Sequence, residues 1–95
     1  MRFTWDPKKA AENLTKHGVD FREAATVLDD PLSVTFPDPD HSDREQRFLI
    51  IGVSVPGRTL VVSHAESGDT IRIISARTAT RGERKFYEED KPKRG

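Results

Sequence analysis

The chain has 95 residues, enough for one domain with a modest core, and no cysteine, which excludes a disulfide framework and thiolate metal ligation. No apolar run approaches the roughly 20 residues that a membrane-spanning helix needs, and the opening MRFTWD lacks a signal-peptide apolar core, so we expect a soluble, cytoplasmic protein. The formal charge is zero but unevenly placed: residues 19–43 carry one basic and seven acidic side chains, a net of −6, whereas residues 44–87 carry eight and four, a net of +4 able to attract phosphates.

Phe3 and Trp5 fall on the same side of a short first strand. Asp6 as N-cap and Pro7 at the first helical position open a helix that runs to about His17, with Ala10, Ala11 and Leu14 as its narrow apolar stripe. Gly18 supplies a left-handed C-terminal residue, and Val19 can pack back onto the last turn. Asp20, with Glu23 three residues on, forms an Asp variant of the capping box at the start of a second helix. Phe21, Ala24, Ala25 and Leu28 make its buried face, and Asp29-Asp30-Pro31 stops it.

Residues 33–36 read as a short strand and 37–43 as a loop. Residues 48–55 form an apolar run that predicts a central strand covered on both faces. Pro56-Gly57 suits the centre of a type II turn. Strands over 59–66 and 70–77 complete a meander, and Thr80 with Glu83 forms a capping box for a last helix in which Phe86 and Tyr87 can face the sheet. The expected order is β-α-α-β-β-β-β-α, an α+β fold whose antiparallel sheet carries its helices mainly on one face. We expect a single domain over residues 1–90 and a frayed tail over 91–95.

Polar groups interrupt the two apolar strands of the last hairpin at His64, Glu66, Arg72 and Arg77, where they are expensive unless paired or open to a cleft. His64 and Glu66 share a face. If Ser67-Gly68-Asp69 is a three-residue loop, Arg72 lies opposite His64 and joins them; a two-residue loop slips the register and sends Arg72 to the other face. The first register clusters the polar groups and is our expectation, against the plainer reading of a solvated patch. Arg77, Arg81 and Arg84 gather at the start of the last helix, where anions are favoured. His17 reads as a helix C-terminal contact, His41 as a solvated loop residue, and Trp5 as core. No His, Asp and Glu spacing makes a metal site, so no cofactor is expected, and there is no glycine-rich phosphate loop.

Several stretches together resemble the BrnT family of type II toxins: residues 5–21 (WDPKKAAENLTKHGVDF), Asp29-Asp30-Pro31, Arg47 with Ile51-Gly52, residues 61–64 (VVSH) and residues 71–87 (IRIISARTATRGERKFY). The resemblance covers nearly the whole chain. It implies a RelE-like fold, a ribonuclease that inhibits translation, and a BrnA-type antitoxin that neutralises the toxin and binds operator DNA itself.

Metal-free RNA cleavage needs the 2′-hydroxyl deprotonated, the 5′-oxygen protonated and the crowded phosphate charge stabilised. For proton transfer the candidates are His64 and Glu66; for phosphate clamping they are Arg72, Arg77 and Arg81, with Arg84 binding RNA alongside. Glu45 and Tyr87 are secondary candidates for the site. The alternatives are a non-enzymatic toxin that poisons a protein such as gyrase on the same scaffold, or a plain interaction module; divergence of His64, Glu66 and Arg72 from one face would favour the former.

Overall fold

A computed structural model of the chain describes residues 1–38 and 46–89. The elements are β1 (Arg2–Thr4), α1 (Pro7–His17), α2 (Phe21–Val27), β2 (Val34–Pro37), β3 (Gln46–Val53), β4 (Thr59–Ser67), β5 (Thr70–Thr78) and α3 (Arg81–Glu89). They form one five-stranded sheet in the order β1-β5-β4-β3-β2. Among the described residues only the β1–β5 pairing is parallel. The expected element order and α+β class hold. β3 lies in the interior of the sheet, paired with β2 and β4 as expected of a central strand, and β4 is the middle strand.

Local sequence explains most boundaries. Asp6 accepts a hydrogen bond from the Lys8 N–H at 2.9 Å, and Gly18 ends α1 with φ 68°. Asp20 accepts from the Arg22 N–H at 2.8 Å to begin α2. Its supposed box partner Glu23 turns away instead, accepting from Ser54 Oγ at 2.7 Å and Arg58 Nε at 2.9 Å. That tie pulls the β3–β4 connection onto α2, because a guanidinium and a hydroxyl satisfy the carboxylate better than one backbone N–H. In the connection itself the Gly57 N–H bonds the Ser54 carbonyl at 2.8 Å, so Val55 and Pro56 are the central residues, one earlier than expected, and Gly57 follows at φ 100°.

Two of the three helices share a face. Phe21, Ala24 and Val27 of α2, with Val19, pack against Ile50, Leu60, Val62, Ile71, Ile73 and Ala76. Trp5 meets Phe21 edge-on, ring centroids 6.1 Å apart. The alternate residues Ile51 and Val61 face the other way and pack with Tyr87 of α3, alongside Phe36, Leu49 and Val53. β3 is therefore covered on both sides, as its apolar run predicts.

In α1 the expected stripe holds at Ala10, which packs against the core, and fails at its other two positions. Ala11 and Leu14 are exposed, and the buried position is Asn13. Its amide donates to the Ala76 carbonyl at 2.8 Å and the Val19 carbonyl at 3.0 Å, and its oxygen accepts from the Ala76 N–H at 3.1 Å. A fully paired polar side chain has displaced the rest of the apolar stripe because it satisfies strand backbone that would otherwise be buried unpaired.

Candidate functional site

The last hairpin decides what the site can be. Ser67 pairs with Thr70, so the loop is the two residues Gly68 and Asp69, with Gly68 at φ 57°. Glycine at the first of two loop positions suits the type II′ turn, whose twist matches that of the flanking strands. Glu66 then lies opposite Ile71, and Arg72 lies opposite Ala65. The expected pairing of His64 with Arg72 is overturned: His64 pairs with Ile73 and points to the α1/α2 face with Glu66, while Arg72 points to the α3 face.

A second irregularity follows. Between Ser63 and His64 the register shifts, and β5 carries one extra residue, Ile74. Arg72 and Arg77 are five positions apart, a spacing that puts them on opposite faces of a regular strand. The bulge cancels the mismatch. Ala76 turns into the core opposite Val62, and Arg77, opposite Val61, joins Arg72 on the α3 face.

That face gathers the basic groups. Arg47, Ala65 and Arg72 stand in register across β3, β4 and β5. Ala65 is buried, Arg47 and Arg72 are half-buried, and Ser63 and Ser75 form the next row. Arg77 holds Glu83 in a two-pronged pair, Nη1 to Oε1 at 2.7 Å and Nη2 to Oε2 at 2.9 Å. The capping box is formed as expected: the Thr80 N–H donates to Glu83 Oε1 at 2.9 Å, and the Glu83 N–H donates to Thr80 Oγ1 at 3.2 Å. Chiefly through the Arg77 hydrogen bonds, the Glu83 carboxyl is pulled down to about 2, and the same pair raises Arg77. Glu83 thus orients Arg77 and is a weak base. Arg81 and Arg84 are exposed on the first turns of α3.

On the opposite face His64 is 1% exposed. Its Nε2 lies 3.0 Å from Glu66 Oε2, its ring stacks on Phe48 with centroids 5.6 Å apart, and its Nδ1 is buried without a partner among the described residues. Glu66 is 44% exposed on its side chain, at the mouth of a pocket of about 210 Å³ walled by Leu28, Ile50 and Ile71. The pair is built, but the sheet separates it from the arginines.

Of the secondary candidates, Tyr87 is bolted in place. Its hydroxyl donates to Asp30 Oδ2 at 2.6 Å, and burial, then that bond, pushes it up to about 12. Glu45, like His41, the 91–95 tail and most of the 37–43 loop, lies outside the described residues. Among the described residues no three His, Cys, Asp or Glu side chains converge as a metal site requires, and no helix is long and apolar enough to cross a membrane. Sequence reasoning did not group Arg47 with Arg72 and Arg77, whose face it shares. Its signal was available: it shares a period-2 face with Leu49 and Ile51 in a strand.

Comparison with known proteins places these residues in context. A family model described as ribonuclease toxin, BrnT, of type II toxin-antitoxin system matches residues 5–83. The 1.1 Å crystal structure of the Brucella abortus ribonuclease toxin BrnT has a TM-score of 0.67 with this chain at 26% identity, covering 85% of this chain and 99% of that one. No curated protein matches.

Proposed function

The chain belongs to the BrnT family of ribonuclease toxins of type II toxin–antitoxin systems, and on that premise we propose that it cleaves RNA on the α3 face of its sheet. The observation that carries this reading is the bulge at Ile74, which brings Arg72 and Arg77 onto one face with Arg47, next to Arg81 and Arg84 of α3.

The chemistry is transesterification. The 2′-oxygen of the RNA forms a bond to phosphorus, the bond from phosphorus to the 5′-oxygen breaks, and the products are a 2′,3′-cyclic phosphate and a 5′-hydroxyl. Negative charge accumulates on the phosphoryl oxygens at the crowded midpoint. Arg72 and Arg77 lie against those oxygens, and Arg77 is already oriented by Glu83. Arg81 and Arg84 hold flanking phosphates. Guanidinium groups are suited to this because they stay charged and match phosphate in pairs of hydrogen bonds. The proton of the 2′-hydroxyl passes to solvent, and solvent returns one to the 5′-oxygen. His64 and Glu66 receive no proton in this scheme, since the sheet stands between them and the arginines.

Divergence of His64 and Arg72 weighs, by itself, toward a toxin that binds without cutting. Membership of a ribonuclease family weighs more, because it concerns the activity directly. Cleavage of messages in the cytoplasm accounts for inhibited translation. A BrnA-type antitoxin that lays an acidic or well-packed element over the arginine face would neutralise charge and exclude RNA together; contact with operator DNA belongs to the antitoxin.

Partner-free protein incubated with RNA in EDTA tests the reading. The expected result is cleavage with 2′,3′-cyclic phosphate ends by mass spectrometry, abolished by a 2′-deoxy substitution at the scissile position and sharply reduced by Arg77→Ala. Products with 5′-phosphate ends, or activity only with added Mg²⁺, overturn the mechanism. Intact RNA beside a toxic protein overturns the activity.

A further inference from the structure

β1 pairs with β5 only as far as Arg72, so among the described residues that side of β5 has no neighbouring strand from Ile73 onward. α1 runs alongside instead, and Asn13 takes up the backbone of Ala76. The bulged Ile74 and Ser75 line an open groove of about 250 Å³ against α1, together with Lys9, Lys16, His17 and Glu12. Two lysines and a histidine thus face one carboxylate. Lys9 and Lys16 are seven residues apart, two helical turns or roughly 10 Å, and so share one side of α1. Ser75 belongs to both surfaces: it is exposed on the arginine face between Arg72 and Arg77, and it also borders the groove.

We infer that this groove is a second phosphate-binding site for the same RNA strand. The backbone that leaves Arg72 and Arg77 crosses the β5 edge at Ser75 and lays its next phosphates against Lys9 and Lys16. The bulge serves both sites, turning Arg77 toward the first and shaping the rim of the second. The ligand is the sugar–phosphate backbone of single-stranded RNA, since flexible lysines on an open groove read charge rather than bases. This inference rests on the reading of the arginine face as the cleavage site.

The test compares the full-length protein with its Lys9→Glu/Lys16→Glu double variant and with Arg72→Ala, using fluorescent RNAs of about 4 and about 12 nucleotides that are 2′-deoxy at the scissile position. Fluorescence anisotropy is measured across a salt series, and circular dichroism checks each fold. The double variant is expected to bind the long RNA at least ~10-fold more weakly, with its log–log salt slope reduced by about 1.4, or ~0.7 for each phosphate that the lysines no longer neutralise. It is expected to bind the short RNA, and cleave its all-ribose version, as the wild type does. Lys9→Arg/Lys16→Arg should restore long-RNA binding. Wild-type affinity and slope for the long RNA in the double variant overturn the groove while leaving the arginine face standing, provided Arg72→Ala weakens both lengths. Undiminished binding of both lengths by Arg72→Ala, or no RNA binding by the wild type, removes the arginine-face reading and the groove with it. Weakened antitoxin binding with unchanged RNA binding assigns the lysines to a protein partner and likewise overturns the inference.

Discussion

The two faces of the sheet are built from alternate residues of the same strands, yet they bury different things. On the α1/α2 face, Phe21, Leu60, Val62 and Ile73 close the larger apolar core, and the polar intruder His64 is buried with them. On the α3 face the apolar patch is smaller, around Ile51, Val61 and Tyr87, and beyond it lie Arg47, Arg72 and Arg77. One helix covers part of that face and leaves the rest to charged side chains. The lesson is that a small α+β domain can keep its stability on one side of a sheet and its charge on the other, with a single bulge sorting residues between them.

Substitutions should separate the two sides. Phe21→Ala removes a fully buried ring from the α1/α2 core and is expected to cost ~3–5 kcal/mol in urea unfolding, whereas Phe86→Ala on half-exposed α3 should cost about 1 kcal/mol. Equal costs would mean that both faces bear the fold alike. Arg72→Ala is expected to lower the RNA cleavage rate ~10²–10³-fold in single-turnover assays with little change in unfolding midpoint. His64→Gln should do the reverse, losing stability while its folded fraction cleaves normally; a matching rate loss would erase the division.

Gly52→Ala probes how closely α2 sits on the sheet. An added Cβ meets Val27 Cγ1 at 2.9 Å and Asp30 Oδ2 and the Ser33 Cβ at 3.1 Å. Two of those contacts are short, stiff atoms, so the expected loss is ~1–3 kcal/mol by thermal unfolding, with cleavage by the folded protein retained.

The smallest effect is a pH dependence, carried on the α3 face by Glu83 and in the same direction on α2 by Glu23, whose carboxyl the Arg58 hydrogen bonds hold below its ordinary value. Glu83 titrates at about 2 in the folded protein, below its ordinary 4.5, chiefly because Arg77 bonds its ionised form. A depressed acid contributes its stability above the unfolded value and loses it as pH falls from about 4.5 toward 2. With 30% of the Glu83 side chain and 42% of the Arg77 side chain exposed, solvent screening leaves ~1 kcal/mol of that contribution. Amide exchange should show α3 loosening across this window, and Glu83→Gln should flatten that loosening. Undiminished loosening of α3 in Glu83→Gln would show that acid acts elsewhere.

The caps were legible because each is written in adjacent residues: Asp6 with Pro7, Gly18, Asp20, and Thr80 with Glu83. The hairpin register was not. Ser67, Gly68 and Asp69 permit a loop of two residues or of three, and one residue of slip changes the face of every side chain. The bulge at Ile74 is a property of pairing between β4 and β5, and a run of Ile, Ile, Ser and Ala does not show which residue is extra. Asn13 was hidden for a related reason: its partner Ala76 is 63 residues away. Grouping polar residues by charge selected His64, Glu66 and Arg72 as neighbours, whereas the turn and the bulge sort them by face.

The Asn13 amide has a consequence for how the chain behaves among its own copies. An unpaired strand edge is a template on which another chain can add a strand, and such edges seed aggregation. Along β5, past the end of β1, the Ala76 N–H and carbonyl are the groups such a visitor would use, and Asn13 occupies both from the side of α1. One side chain therefore does what a capping strand does elsewhere: it withdraws the edge from self-association, so the colloidal behaviour of the protein at high concentration depends on α1 staying docked.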